Sequence, residues 1–239
     1  MPGLFWLVER PVAHRGLHNA AAGIIENTPS AISAAVAGNY AIEVDLQITA
    51  DGEAMVHHDD VLGRLTDGSG ALASMTAAQL KQVSFKATAD RMMTLSDLCD
   101  LVDGRSTLVI ELKSLRDGDP RVAERAAKVL AGYRGPAVVM SFDPFLIRCI
   151  RDIAPNLVRG LVAEKAPSGA TGAGSYARDL IAAQPQFLAY SVKNLTSFWP
   201  LLARHVFRMP LLTWTVRTDS DRERAGQWAD QMIFEGFRP

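Results

Sequence analysis

The sequence is poor in the features that mark several large classes of protein. Its 239 residues include only two cysteines, and 25 basic residues nearly balance 26 acidic ones to give a formal net charge of -1. So few cysteines exclude a disulfide framework and favour reduced thiols, and the charge balance excludes a broad basic face for nucleic acid. No apolar run approaches the roughly 20 residues that a membrane-spanning helix needs. We therefore expect a soluble, cytoplasmic protein whose partner is a small molecule.

Short apolar runs alternate along the chain with longer stretches of helical periodicity. The short runs predict eight strands, at 11–15, 41–48, 107–113, 137–142, 158–164, 187–193, 210–216 and 231–235. Seven helices are predicted between them, at 29–38, 94–103, 120–133, 144–154, 175–184, 197–206 and 219–229. This alternation predicts an α/β fold in which a parallel sheet closes into a (β/α)8 TIM barrel. An open doubly wound sheet is less favoured, because no Gly-rich dinucleotide turn follows the first strand.

Three segments depart from simple alternation. Residues 51–93 follow the second strand and are too many for an ordinary loop, so they predict an insertion within a single barrel domain spanning 1–239. The Gly, Ala and Ser stretch 166–174 predicts a flexible loop at the rim of the barrel. Because no helix is predicted after the eighth strand, residues 4–8 are expected to cover part of the flank that this leaves open.

Acidic residues end two neighbouring strands of the predicted barrel. Glu43 and Asp45 end the second strand, and Glu111 ends the third together with Lys113. Residues i and i+2 of a strand share a face, and inward side chains at the carboxyl ends of barrel strands line the active site. Burying three acids together is costly unless cations or a metal balance them, which leaves a metal site or a network of ion pairs as the alternatives. Carboxylate ligands suit Mg²⁺ or Ca²⁺ better than Zn²⁺.

Two of the five histidines are candidates for proton transfer. His14 lies with Arg15 at the end of the first strand, and His58 precedes Asp59 in the insertion. Histidine is the side chain whose ordinary pKa suits acid and base catalysis near neutral pH. We expect His18, His57 and His205 to be structural or surface residues.

Short polar motifs follow one another in order over most of the chain. They are His14-Arg15-Gly16, Glu26-Asn27-Thr28, Glu43-Val44-Asp45-Leu46, Val56-x-His58-Asp59-x-x-Leu62-x-Arg64-x-Thr66, Glu111-x-Lys113 and Trp214-Thr215-Val216. Each motif is short, but their order and spacing together are specific. In this set the sequence resembles the glycerophosphodiester phosphodiesterase family.

The resemblance implies a TIM barrel with an insertion after the second strand, one bound divalent cation and a set of site residues. These are catalytic His14 and His58, substrate-binding Arg15, Lys113 and Trp214, and metal-binding Glu43, Asp45 and Glu111. It also implies hydrolysis of glycerophosphodiesters to glycerol 3-phosphate and an alcohol, through a cyclic phosphate formed by two-histidine acid and base catalysis. The alternatives are a lysophospholipase D-like or phosphoinositide-cleaving enzyme with a lipid substrate, or a non-catalytic barrel that binds a phosphorylated ligand.

The sequence also departs from the family pattern near its end. Glu235 stands where the family often has an aspartate after the eighth strand, and Arg217 stands where a small polar residue is common. Arg217 is a candidate contact for a phosphate or an anionic head group. Glu164 and Lys165 are candidates for substrate selectivity, and Lys193 is expected to be a solvated residue of the rim.

Overall fold

Eight parallel strands close into a barrel in the computed structural model, which describes residues 3–164 and 169–239. The strands in chain order are β1 (Val12–Ala13), β2 (Ala41–Ile48), β3 (Ala54–Val56), β4 (Leu108–Leu112), β5 (Ala137–Ser141), β6 (Val158–Ala163), β7 (Phe187–Ser191), β8 (Leu211–Val216) and β9 (Gln231–Phe234). The short β1 pairs with β2 on one side and with β9 on the other, which closes the sheet. Strand β3 pairs antiparallel with the outer part of β2 and lies outside the barrel. The predicted TIM barrel is therefore confirmed.

In the described ranges, seven α-helices connect successive barrel strands, and a short one lies in the insertion. They are α1 (Pro29–Ala37), α2 (Ala77–Leu80, in the insertion), α3 (Leu95–Val102), α4 (Arg121–Leu130), α5 (Pro144–Ile153), α6 (Gly169–Ala183), α7 (Phe198–His205) and α8 (Asp219–Trp228). Thr28 and Asp143 cap α1 and α5 by accepting hydrogen bonds from backbone N–H groups of the first turn.

Helix α6 begins earlier than its sequence predicts. The predicted loop 166–174 is wrong from Gly169 onward, because these residues already belong to α6. Glycine has a low helix propensity, but packing of α6 beside α5 provides tertiary stabilisation that a propensity count omits. The remaining residues of that prediction, and Lys165, lie outside the described residues.

Side chains of each strand alternate between the helices and the barrel interior. In β2, Ile42, Val44 and Leu46 pack in the layer between sheet and helices, whereas Glu43 and Asp45 have the opposite parity and face inward. The inward residues lower in the barrel are apolar. Among the residues that the structure describes, the charged groups that face the interior therefore lie toward the carboxyl ends of the strands, at one mouth.

The N-terminal segment packs at the other end of the barrel. Leu7 is fully buried in the interior cluster, with Trp6 packed beside it. The side chain of Gln231, at the start of β9, donates a hydrogen bond to the Val8 carbonyl at 2.9 Å. Residues 4–8 thus cover the amino end of the barrel, not the flank next to β9 as the sequence suggested. Burial of Leu7 is the physical reason, because the closed barrel offers an apolar surface there.

The insertion has an apolar cluster of its own. It joins Met55 of β3 to Leu72, Leu80, Phe85 and Met92, all of which are buried. This cluster fixes the insertion against the outer side of β2 and holds His58 at the mouth.

The two cysteines are free thiols, Cys99 buried and Cys149 half-buried. Within the described ranges, no helix has the length and apolar character needed to cross a bilayer.

Gly16 is needed where the chain turns after β1. Its φ of +80° is in the left-handed region, and a Cβ atom built there would lie 2.8 Å from the Ala31 carbonyl carbon of α1. We expect Gly16→Ala to lower the free energy of unfolding by about 2 kcal/mol or more, through backbone strain plus overpacking. Urea unfolding monitored by circular dichroism measures this loss.

The matched control is Gly52→Ala. Gly52 has a similar φ of +78°, but a Cβ atom there meets nothing within 4 Å. The free energy of unfolding of the control should therefore fall only by the strain of placing alanine in the left-handed backbone conformation. Equal losses in the two variants would show that the contact with α1 has no part in the requirement for Gly16.

Candidate active site

A cavity of about 300 Å³ opens at the carboxyl end of the barrel. Seven of the eight site residues predicted from the sequence line it: His14, Arg15, Glu43, His58, Glu111, Lys113 and Trp214. The eighth, Asp45, is buried beneath the cavity surface beside them, with about 1% of its surface exposed. The fold therefore brings together side chains that are up to 200 residues apart, as in His14 and Trp214.

Three carboxylates form a buried acidic cluster at one side of the cavity. Oxygen atoms of Glu43, Asp45 and Glu111 lie within 4.8 Å of one another. Adjacent strands cause this proximity, because Asp45 of β2 is the register partner of Glu111 of β4. Burial, then the charges of Asp45 and Glu111, raises the pKa of Glu43. Burial and the charge of Asp45 also raise the pKa of Glu111, to about 7.

Two cations neutralise part of this cluster. Lys113 Nζ lies 2.9 Å from Asp45 Oδ1 and 2.6 Å from Glu111 Oε1, and Arg15 Nε lies 3.2 Å from Asp45 Oδ2. Burial alone would raise the pKa of Asp45, but Lys113 and Arg15 outweigh it and lower that pKa to about 2. Among the described residues, the hydrogen bond that Glu43 accepts comes from a backbone group, Arg15 N at 2.9 Å. The ion-pair network predicted as an alternative is thus present. It does not fully balance the negative charges of Glu43 and Glu111, because the pKa values of both remain raised.

The donor chemistry of the cluster suits a hard divalent cation. It offers only carboxylate oxygens, which Mg²⁺ and Ca²⁺ prefer, and no thiolate or imidazole belongs to the three-residue group. A cation bound there would stabilise the ionised forms of Glu43 and Glu111, whose pKa values are raised in its absence. The residues present therefore fit a divalent metal.

His14 is held from behind by a carboxylate. Its Nδ1 lies 2.5 Å from Glu235 Oε2, and its Nε2 lies 3.9 Å from Glu43 Oε2, on the cavity side. Burial lowers the pKa of His14, and the hydrogen bond with Glu235 opposes that shift. Glu235 also accepts from Arg217 Nε at 2.5 Å. Glu235 thus holds His14 through Nδ1, and Arg217 is bonded to a protein carboxylate while it lines the cavity.

His58 has a similar arrangement in the insertion. Its Nδ1 lies 2.9 Å from Asp59 Oδ1, and Asp59 Oδ2 accepts from Arg64 Nε at 2.6 Å. Arg64 also donates to Glu26 Oε1 at 2.6 Å, and the same oxygen accepts from Arg15 Nη1 at 2.7 Å. A chain of charged hydrogen bonds therefore connects the insertion to the barrel. His58, not His57, faces the cavity, since His57 is buried against Phe85 with ring centroids 6.4 Å apart.

Asn27 is a site residue for which the sequence indicated no role. Its side-chain amide donates to Asp45 Oδ2 at 2.9 Å, and its backbone has a left-handed φ of 57°. Arg15 has a similar φ of 54°. Asparagine tolerates this conformation better than most residues. In the sequence, the Glu26-Asn27-Thr28 motif was the available indication that Asn27 belongs to the site.

An aromatic pair, Trp214 and Phe142, also lines the cavity. Trp214 of β8 contacts Phe142 edge to face, with ring centroids 5.3 Å apart, and its Nε1 donates to the Ala189 carbonyl at 3.1 Å. This hydrogen bond fixes the indole plane. Glu164 and Lys193 follow the neighbouring strands β6 and β7, line the cavity and are both exposed. Lys193 is therefore at the solvated rim, as predicted, and also borders the cavity.

A TIM barrel with three acids and two histidines around one mouth is typical of a hydrolase. Comparison with known proteins identifies the family. The family model described as "Glycerophosphoryl diester phosphodiesterase family" matches residues 14–237. The chain belongs to that family. The match includes all eight site residues predicted from the sequence.

Relatives of this chain include bacterial and animal proteins. It is 30% identical over 161 residues to a glycerophosphodiester phosphodiesterase of Caldanaerobacter subterraneus, covering 63% of this chain and 65% of the relative. It is 27% identical over 192 residues to glycerophosphodiester phosphodiesterase 1 of Bos taurus, covering 76% of this chain and 57% of the relative. The matched regions thus span less than two thirds of these two relatives.

Solved structures share the fold over nearly the whole chain. An Oleispira antarctica phosphodiesterase in complex with the product sn-glycerol-3-phosphate superposes with a TM-score of 0.81 at 20% identity, covering 96% of this chain and 94% of that one. A glycerophosphodiester phosphodiesterase of Parabacteroides distasonis gives a TM-score of 0.76 at 20% identity, covering 94% and 92%. At this identity the likeness establishes the barrel fold.

Proposed function

We propose that this protein hydrolyses glycerophosphodiesters to glycerol 3-phosphate and an alcohol, with one divalent cation, Mg²⁺ or Ca²⁺, at the acidic cluster. The proposal rests on one observation: two imidazoles, each hydrogen-bonded to a carboxylate, lie at the same cavity as a cluster of three further carboxylates. Family membership and the names of the relatives support the same substrate class. A cytoplasmic location remains a prediction from the sequence.

Glu43, Asp45 and Glu111 would hold the cation. When bound, it supplies positive charge to the non-bridging oxygens of the phosphate and lowers the pKa of a hydroxyl beside it. Arg15 and Lys113 extend that positive charge over the phosphate, since both line the cavity next to the acids. Their pairing with Asp45 keeps them in place before substrate arrives.

His14 and His58 transfer the protons in this proposal. One imidazole removes the proton of the glycerol 2-hydroxyl while that oxygen bonds to phosphorus, and the other protonates the alcohol oxygen as its bond to phosphorus breaks. The product of this step is a cyclic phosphate. Water then attacks phosphorus, the bond to the 2-oxygen breaks, and the two histidines exchange roles and regain their starting protonation. Glu235 and Asp59 each engage Nδ1, which leaves Nε2 of both rings for these transfers.

Release of glycerol 3-phosphate is the direct test. We expect the purified chain to hydrolyse glycerophosphoethanolamine and glycerophosphocholine with Mg²⁺ or Ca²⁺, and a coupled assay for glycerol 3-phosphate measures the rate. Chelation should stop the reaction, and re-addition of either cation should restore it. Tight ligand binding without product under every metal condition would favour the non-catalytic barrel.

An enzyme that acts on lipids would show different substrate preferences. A lysophospholipase D-like or phosphoinositide-cleaving enzyme would act faster on lysophosphatidylcholine or phosphoinositide vesicles than on glycerophosphocholine, and it would sediment with those vesicles. We expect the soluble diester to be preferred. Faster release from the vesicles would replace the proposed substrate class while keeping the site.

A further inference from the structure

The far wall of the cavity carries two opposite charges that the proposed chemistry does not use. Glu164 follows the last residue of β6 and Lys193 follows β7, the neighbouring strand. Both line the cavity and both are exposed. Arg15, Lys113 and Arg217 form ion pairs at this mouth, and within the part of the chain that the structure describes neither Glu164 nor Lys193 takes part in one.

The strand order places these charges away from the phosphate. Around the barrel the acidic cluster and its cations lie on or directly after β1, β2 and β4, whereas Glu164 and Lys193 follow β6 and β7. Trp214 of β8, the next strand, lies on the same side, and its ring packs edge to face on Phe142, which follows β5. A phosphodiester held at the cluster would direct one of its two substituents toward Trp214, with one carboxylate and one ammonium group after the neighbouring strands β6 and β7.

A carboxylate in this position has a chemical consequence. Glu164 repels an anionic diester unless the substrate carries a cation at that wall, so it favours an alcohol with an amino group. Lys193 favours an anionic group in the same part of the substrate, and one alcohol that offers both is an amino acid such as serine. Resting on the proposed function, we propose that Glu164 and Lys193 form a head-group subsite for zwitterionic amino-alcohols, with the ammonium at Glu164 and the carboxylate at Lys193.

Three soluble diesters separate the two contacts. Glycerophosphoserine offers both charges, glycerophosphoethanolamine only the ammonium, and glycerophosphoglycerol neither. We expect Glu164→Gln to lower kcat/KM about 5- to 10-fold for the first two and to leave the third within about twofold. Lys193→Met should lower kcat/KM by a similar factor for glycerophosphoserine alone. Glu124→Gln and Lys128→Met, exposed residues of α4, are the matched controls and should change none of the three.

The outcomes distinguish the subsite from the reaction. Equal losses of kcat/KM on all three substrates would overturn the subsite and make the residue a general contact. A wild-type preference for glycerophosphoglycerol would also overturn the subsite. Hydrolysis of none of the three by the wild type would overturn the proposed function, and the subsite with it. Losses that follow the charges of the head group, with kcat for glycerophosphoglycerol maintained, are the result that supports the subsite.

Discussion

Replacing His14 or His58 with alanine is expected to lower kcat by a factor of about 10² to 10⁴ while the barrel remains folded. In the proposed mechanism each imidazole transfers one of the two protons, and each is held by its own carboxylate. Because both steps of the reaction need an acid and a base, loss of either residue should affect cyclic phosphate formation and its opening. Steady-state release of glycerol 3-phosphate measures the loss.

The control for this prediction is His205→Ala. His205 is exposed at the end of α7 and is not among the residues that line the active-site cavity. Its activity should equal that of the wild type, and circular dichroism should show that all three variants are folded. A folded His14→Ala or His58→Ala variant with undiminished kcat would contradict the two-histidine mechanism.

The double variant tests whether the histidines act as a unit. Residues that share one catalytic step are strongly non-additive, so His14→Ala with His58→Ala should be little slower than the slower single variant. Additive losses would indicate independent roles, such as binding of the phosphate. The comparison needs the same cation concentration throughout, because Nε2 of His14 lies 3.9 Å from Glu43 in the acidic cluster.

The parts of the site that the sequence predicts are those governed by local rules. Glu43 with Asp45, and Glu111 with Lys113, share faces because side chains alternate along a strand, and the barrel then brings the two strands into register. The cap at Asp143 follows from its place before a proline at the helix start. Such features need only neighbouring residues and the fold class.

The contacts that the sequence leaves undetermined join distant segments. His14 and Glu235 are 221 residues apart, and only closure of the barrel between β1 and β9 makes them neighbours. The link from Arg64 to Glu26 likewise depends on how the insertion folds over the barrel. No periodicity encodes such pairs. The early start of α6 has a similar cause, because tertiary packing overrides the weak helix propensity of glycine.

Removal of the divalent cation is expected to abolish activity and to lower the melting temperature. A ligand that binds only the folded protein stabilises it by about 2.7 kcal/mol at 100 times its dissociation constant. We expect Mg²⁺ or Ca²⁺ at that excess to raise Tm by several degrees in the wild type, and to do so far less in Glu43→Gln and Glu111→Gln. Differential scanning calorimetry measures the shift without any dependence on turnover.

Glu124→Gln is the matched control, since Glu124 is exposed on α4, outside the acidic cluster. Its metal-induced Tm shift should equal that of the wild type. An unchanged shift in Glu43→Gln and in Glu111→Gln would show that the cation binds elsewhere. Loss of the shift with retained activity in the presence of a chelator would instead separate the acidic cluster from the reaction.

The pH dependence of the metal-free protein gives a second measure of the same cluster. The folded state holds the proton of Glu111 more tightly than the unfolded chain, because burial and Asp45 raise its pKa from 4.5 to about 7. The stability that this group contributes is complete below about pH 4.5 and is lost as the pH rises to about 7. Metal-free wild type should therefore lose more stability across this window than Glu111→Gln, which has no proton to release. Because the cation binds the ionised carboxylates, the Tm gain from metal should grow over the same window in the wild type.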